Sequence, residues 1–200
     1  MTKEFTMKII FIMLVFIICN VTNAQTVSYK DSMRQYIAAY VARHEVVTGN
    51  DKKKMQFFPA DENYRVVADF ESIKNAPWFN VNTSSGQTRP YRQYGKVTFF
   101  VNKSKQILYL YQSQNLLQSA EYWDYLFLPF MDATNGNESY ETGRYIDLKT
   151  SDIKDGKVTI DFNKAYNPYC AYVSDKYSCP VPPKENRLKV GIRAGEKKFH

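Results

Sequence analysis

The apolar residues of this chain fall into three spacing regimes, and each predicts a different element. From Ile9 to Cys19 ("IIFIMLVFIIC") they form an unbroken run. Beyond Ser28 they recur every three or four positions: Met33, Tyr36, Ile37, Tyr40 and Val41 make one stripe of an amphipathic helix over about residues 29–46. Ser28 stands where an N-cap belongs, Asp31 follows three residues later in a capping-box-like place, and Gly49 with Asn50 stops the pattern. The stripe is the expected docking face. His44 continues it, which makes a packed or boundary histidine the simpler reading.

From Tyr64 the period drops to two. "YRVVADF" sets Tyr64, Val66, Ala68 and Phe70 on one side. "KVTFFV" and "QILYLY" read as a hairpin through "NKSK". "ILYLY" is apolar on both faces and belongs inside a sheet, and "YLFLPF" is a further buried run. "RYIDL" and "KVTIDF" flank a turn at Asp155-Gly156, and "LKVGIRA" reads as a closing strand with Leu188, Val190 and Ile192 inward. About eight short strands behind one helix predict a mainly β fold. The expected form is an antiparallel sandwich or barrel-like domain with one N-terminal helix. No repeat, linker or composition shift divides it, so residues 25–200 are expected to form a single β-rich domain.

The first run is too short for a membrane span, which needs about 20 apolar residues. Lys3 and Lys8 precede it, and Thr22 and Ala24 occupy the −3 and −1 positions of a cleavage site, so residues 1–24 read as a signal peptide. A lipoprotein anchored at Cys19 is the weaker reading, because Ile18 stands where a small residue belongs. The expected location is therefore exported, periplasmic or extracellular, with membrane contact only through the signal segment. The chain carries +7, and the two lysines and one glutamate of residues 1–24 leave +6 after processing. Basic residues gather at Lys52–Lys54 and again from Lys184 to Lys198. Export argues against a nucleic-acid partner, so this surplus reads as solvated faces or as attraction for anionic ligands.

Three stretches carry a family likeness: "YGKVTFF", "LFLPFMDATNGNESYETGRYIDL" and "TIDFNKAYNPYCAYVSDKYSCPVPPKENRLKVGIRAGEK". They resemble the domain of unknown function 1684 family of bacteria and archaea, over roughly Tyr64 to Lys198. The N-terminal part is similar only to the shorter, exported, Bacteroidetes-like members. Asn135, Asn137 and Glu138 around Gly136 depart from the family's usual pattern. The resemblance implies one fold unit and names no reaction.

The candidate chemistry lies in two places. In "DATNGNESYETGRY", the carboxylates Asp132, Glu138 and Glu141 stand beside Tyr140, Arg144 and Tyr145. Such a set suits acid–base work or a ligand grip. It equally suits an ordered loop turned by Gly136 and Gly143, with Arg144 paired to Asp132 or Asp161. The second place is "AYNPYCAYVSDKYSCPVPPKENR". A cysteine nucleophile needs a base, and only His44 and His200 are present. Two cysteines and two scattered histidines do not make a zinc site, so no metal is expected. An exported chain with Cys170 and Cys179 is expected to form one disulfide, a pair of reduced thiols being the alternative. Pro168, Pro180, Pro182 and Pro183 stiffen the segment into a strap. Asp161, Asn163, Asn167, Asn186 and Arg187 would satisfy its backbone or orient a polar ligand. In particular, Glu185 or Asn186 would cap strap amides, and Arg187 would pair with Asp161 or a strap carbonyl. No phosphate loop, G-x-S-x-G, H-E-x-x-H or dinucleotide fingerprint is present, so no cofactor is expected. The leading reading is a non-catalytic envelope domain that binds an unknown small or polymeric ligand or an envelope partner. The alternative is a hydrolase using two of Asp132, Glu138 and Glu141.

Overall fold

Residues 28–200 are described by a computed structural model, so the expected signal peptide lies outside the described residues. The helix α1 spans Tyr29–Arg43, with the Ser28 hydroxyl accepting from the Asp31 amide at 3.1 Å. It ends earlier than the spacing suggests. His44 is already extended, and its Nδ1 accepts from the Val47 amide at 2.9 Å, which turns the chain. Met33 is buried and the rest of the stripe half-buried; Tyr40 packs on Phe57 and Tyr166, and Lys164 lies over the Tyr36 ring.

Seven strands form one antiparallel sheet: β1 Arg65–Ser72, β2 Phe79–Asn82, β3 Thr88–Val101, β4 Ser104–Ser113, β5 Tyr125–Phe130, β6 Arg144–Lys149 and β7 Lys157–Asp161. The order is β6-β5-β4-β3-β1-β7, with β2 added to β3, and the sheet curls into a half-barrel. The fold is thus mainly β as expected, with one curled sheet rather than two. The β3–β4 turn places Asn102 and Lys103 at positive φ (49° and 64°), the mirror-image turn that matches strand twist. β3 is long enough to pair β1 through its second half and β2 through its first, with a register shift between Gln93 and Gly95. A side chain at Gly95 would run into the Phe70 ring, which lies across the backbone there. β2 escaped the sequence reading because "FNVN" is four residues with one buried side chain.

Alternation sorts the side chains onto two faces. Leu108, Leu110, Leu126, Leu128, Ile146 and Ile160 line one face and are almost fully buried. Each contributes about 1.5–3 kcal/mol by leaving water. Phe162, Leu188, Ile192 and Ala194 cover them. The expected strand at "LKVGIRA" is not one. Leu188 and Ile192 are buried and Val190 half-buried, as the alternation says, but the backbone is irregular, and past Val190 it bonds to the side chains of Asp132 and Arg144, as described below. The opposite face carries Tyr91, Tyr111, Phe127 and Tyr145. Here the strap docks: Val181 donates to the Asn82 carbonyl at 2.8 Å, and Tyr145 and Tyr166 exchange backbone hydrogen bonds at 2.9 and 3.0 Å. Cys170 and Cys179 are joined by a disulfide, with Cα atoms 6.3 Å apart.

Candidate functional site

The carboxylate–arginine block folds inward. Arg144 begins β6 on the core face and is completely buried. Its Nη2 donates to Asp132 Oδ2 at 2.9 Å and to the Ile192 carbonyl at 2.8 Å. Its Nη1 donates to the carbonyls of Ala194 (2.5 Å) and Glu196 (3.1 Å). The other Asp132 oxygen accepts from the Thr134 amide (2.8 Å), the Thr134 hydroxyl (2.6 Å) and the Ile192 amide (3.0 Å). One ion pair therefore supplies the ladder that the C-terminal segment lacks. Burial pulls the Arg144 pKa down while the Asp132 charge opposes it. Glu138 is held by Arg193 at 2.8 Å, which keeps its pKa low. Tyr140 is half-buried, its carbonyl accepting from Asn135 at 2.7 Å, and Glu141 is exposed. Gly136 and Gly143 turn the loop at φ 83° and 103°.

The other polar candidates are divided among separate seams. Asp161 does not meet Arg144; it accepts from the Tyr29 hydroxyl at 2.8 Å and from Asn163, tying α1 to the end of β7. Asn163 pairs with the backbone of Asp61 (2.9 and 2.8 Å). Asn167 donates to the Lys197 carbonyl at 2.8 Å. Asn186 does not cap the strap. Its amide bonds both backbone groups of Tyr109 (2.8 and 2.9 Å) and the Pro129 carbonyl (2.7 Å). The reason is Pro129: it has no N–H, β5 meets β4 in register only at Tyr111–Phe127, and a side-chain amide fills the gap. Glu185 likewise turns to Gln93 (3.0 Å) and the Tyr111 hydroxyl (3.2 Å). Arg187 is exposed, with Nη2 on the Met131 sulfur at 3.1 Å, and meets neither Asp161 nor the strap. Residues 184–186 form a short 3₁₀ turn that carries all three away from the strap.

The concave site lies elsewhere, between α1, the strap and β6. It is a cleft of about 520 Å³ walled by Tyr36 and Tyr40 of α1, by Tyr166, Tyr169 and Tyr177 of the strap segment, and by Tyr145. The Tyr145 hydroxyl donates to the Pro180 carbonyl and braces the strap. Asp147 also lines this cleft. It borders a second of about 450 Å³ with Arg65, Asp161 and Lys164, and a third of about 440 Å³ with Tyr122 and Lys149. The residue has solvent access, yet its carboxylate is crowded by protein on a concave floor, and this burial pushes its pKa up. Oδ1 accepts from the hydroxyls of both Tyr125 and Tyr166, each at 2.7 Å. Among the described residues Oδ2 has no donor. Two phenols thus orient a carboxylate and leave one of its oxygens free.

Arg43, Arg89, His44 and Glu45 are the other ionisable groups of the lining besides the tyrosines and Asp147. No ion pair of the described residues uses either arginine. His44 is 7% exposed, edge-on to Tyr172 with centroids 4.7 Å apart. Because Nδ1 accepts from Val47, the proton sits on Nε2, which is buried without a partner. Behind the cleft lies Glu196, fully buried. It accepts from the Tyr172 hydroxyl (2.7 Å), the Asn167 amide (2.9 Å) and, more weakly, the Tyr40 hydroxyl (3.5 Å). Burial pushes its pKa up to about 7.

Of the ligand candidates read from sequence, Tyr145 reaches the main cleft and Asp161 the second; His44 and the disulfide's Cys179 also line the first. Asp147 and Glu196 were passed over. Asp147 sits in "RYIDL" on the same side as Tyr145, so alternation from a cleft tyrosine was a usable signal. Glu196 sits in a charged tail that reads as solvated, and nothing in the sequence marks it.

A family model described as "Protein of unknown function (DUF1684)" matches residues 51–197. The chain is also similar to the solution NMR structure of an uncharacterised protein of Haloarcula marismortui. The two share 30% identity and a TM-score of 0.62, over 84% of this chain and 94% of the other. No curated protein matches. The matched range begins after α1, so Arg43, His44 and Glu45 reach the cleft from outside the family model.

Proposed function

The chain belongs to the DUF1684 family of proteins of unknown function, and from that premise we propose that it is an exported, non-catalytic domain of the cell envelope that binds a small polar ligand between α1, the strap and β6. The observation that carries this reading is the Asp147 carboxylate. Two tyrosine hydroxyls hold one oxygen and leave the other without a donor among the described residues, in a residue that lines a cleft of ligand size. A group aimed in advance at its partner loses little freedom on binding. Export is supported by the apolar run at Ile9–Cys19, the small residues Thr22 and Ala24, and a disulfide that suits an oxidising compartment. Among the described residues no helix is long and apolar enough to cross a membrane. The hydrolase reading loses its geometry: Asp132 is sealed against Arg144 and Glu138 is tied to Arg193, so neither stands open beside a partner carboxylate.

Native mass spectrometry of protein recovered from the exported fraction tests this. The parent is expected to carry a small molecule that Asp147→Asn and Tyr166→Phe lose together. A ligand carried equally by all three would place binding elsewhere.

A further inference from the structure

The charges that line the main cleft balance, and their partners are missing. Two guanidinium groups, Arg43 and Arg89, face it without a carboxylate partner. Two carboxylates, Asp147 and Glu45, face it without a cation; their contacts are tyrosine hydroxyls, Tyr169 reaching Glu45 at 3.4 Å. All four side chains reach solvent, so a ligand that displaces their water must offer both charges in its place. The lining therefore suits an anionic group on the arginines and a cationic donor on Asp147. A simple anion would leave both carboxylates uncompensated, and a simple amine would leave both arginines so.

We propose that this cleft binds a net-neutral zwitterion of the amino-acid class, with its carboxylate on Arg43 and Arg89 and its ammonium on Asp147. The proposal rests on the cleft being a ligand site and names the chemistry of what fills it. Charge-assisted hydrogen bonds at both ends supply orientation as well as affinity. The rings of Tyr40 and Tyr169 give an apolar side chain a wall. Selection follows from what a wrong ligand leaves unpaired: a carboxamide strands the guanidinium groups, and a des-amino acid strands Asp147.

Isothermal titration of the disulfide-bonded protein with the free L-amino acids provides the test. Each amino acid that binds is repeated as its carboxamide and as its des-amino acid. The parent compound is expected to bind, with both analogues at least about tenfold weaker. Arg89→Met and Asp147→Asn, checked as folded by circular dichroism, are each expected to weaken the parent compound by a similar factor. Two results overturn the proposal: an analogue that binds as tightly as its parent, or an absence of binding across the amino acids. A hydroxy acid or sugar acid in the native mass spectrum, lost with Asp147→Asn, would sink the zwitterion and leave the cleft standing as a ligand site. A ligand indifferent to Asp147 would remove the site itself.

Discussion

At the scale of the residue, the deciding event is the burial of Arg144. A guanidinium taken wholly out of water is costly unless its hydrogen bonds are met, and here one carboxylate and three carbonyls meet four of the five, Nε–H alone lacking a partner among the described residues. The three carbonyls belong to alternate residues of one segment, Ile192, Ala194 and Glu196, so a single side chain does the work of a neighbouring strand. Lysine keeps the charge and loses the planar fork. Arg144→Lys is therefore expected to lower the unfolding free energy by about 3 kcal/mol or more, with the loss sharing a common term with Asp132→Asn in a double-mutant cycle. Urea unfolding measures it. A variant within about 0.5 kcal/mol of the parent would make Arg144 a surface-like residue despite its burial.

At the scale of the element, the strap is a segment without a ladder of its own. Prolines deny it regular pairing, and it gains order from the disulfide, from the end of β2, and from Tyr145 and Tyr166. Closing the loop between Cys170 and Cys179 is worth about 2–3 kcal/mol in the chain-entropy account. Replacing both cysteines by serine is expected to cost about that much and to loosen the Tyr169 and Tyr177 wall of the cleft. Thermal unfolding reads the first effect, and ligand titration the second. Untreated exported protein should show no thiol reactive to an alkylating reagent until it is reduced. Two reactive thiols in fresh material would contradict the staple.

At the scale of the whole molecule, Glu196 is where the parts meet. α1 reaches it through Tyr40, the strap through Tyr172 and Asn167, and its own carbonyl is held by Arg144. Its folded pKa of about 7 lies above its ordinary 4.5, so the native state holds this proton more tightly than the unfolded chain does. Between those two values the folded protein binds more protons, and stability falls as pH rises from about 4.5 to 7. The loss is on the order of 3 kcal/mol. His44, whose pKa burial pulls down, acts in the opposite sense at the acid end, and Asp147, pushed up, acts with Glu196. Glu196→Gln isolates the one group: it is expected to be more stable than the parent at pH 8, with the difference shrinking toward pH 5. Melting curves across that range decide it, and parallel curves would mean that Glu196 titrates normally.

The sequence by itself determined the elements whose order comes from local spacing. Period three-to-four placed α1, alternation together with continuous apolar runs placed six of the seven strands and one more that did not form, and the Asn102-Lys103 turn closed the hairpin. The alternation in "LKVGIRA" foretold which side chains are buried, and the even cysteine count matched the staple. The sequence also named Asp132 as one of two partners for Arg144, and that pair formed; where most other polar groups go was decided by tertiary structure alone. Burial follows from the pattern of apolar residues, because the hydrophobic effect has no direction. Hydrogen bonds have one, so their partners depend on which distant segment arrives at what angle. Hence Asn186 went to a gap left by Pro129, Glu185 and Arg187 turned from the strap, and Asp132 became a buried clamp. Asp147, one position among alternating residues, became the oriented carboxylate of a cleft only once the fold had set Tyr166 beside Tyr125.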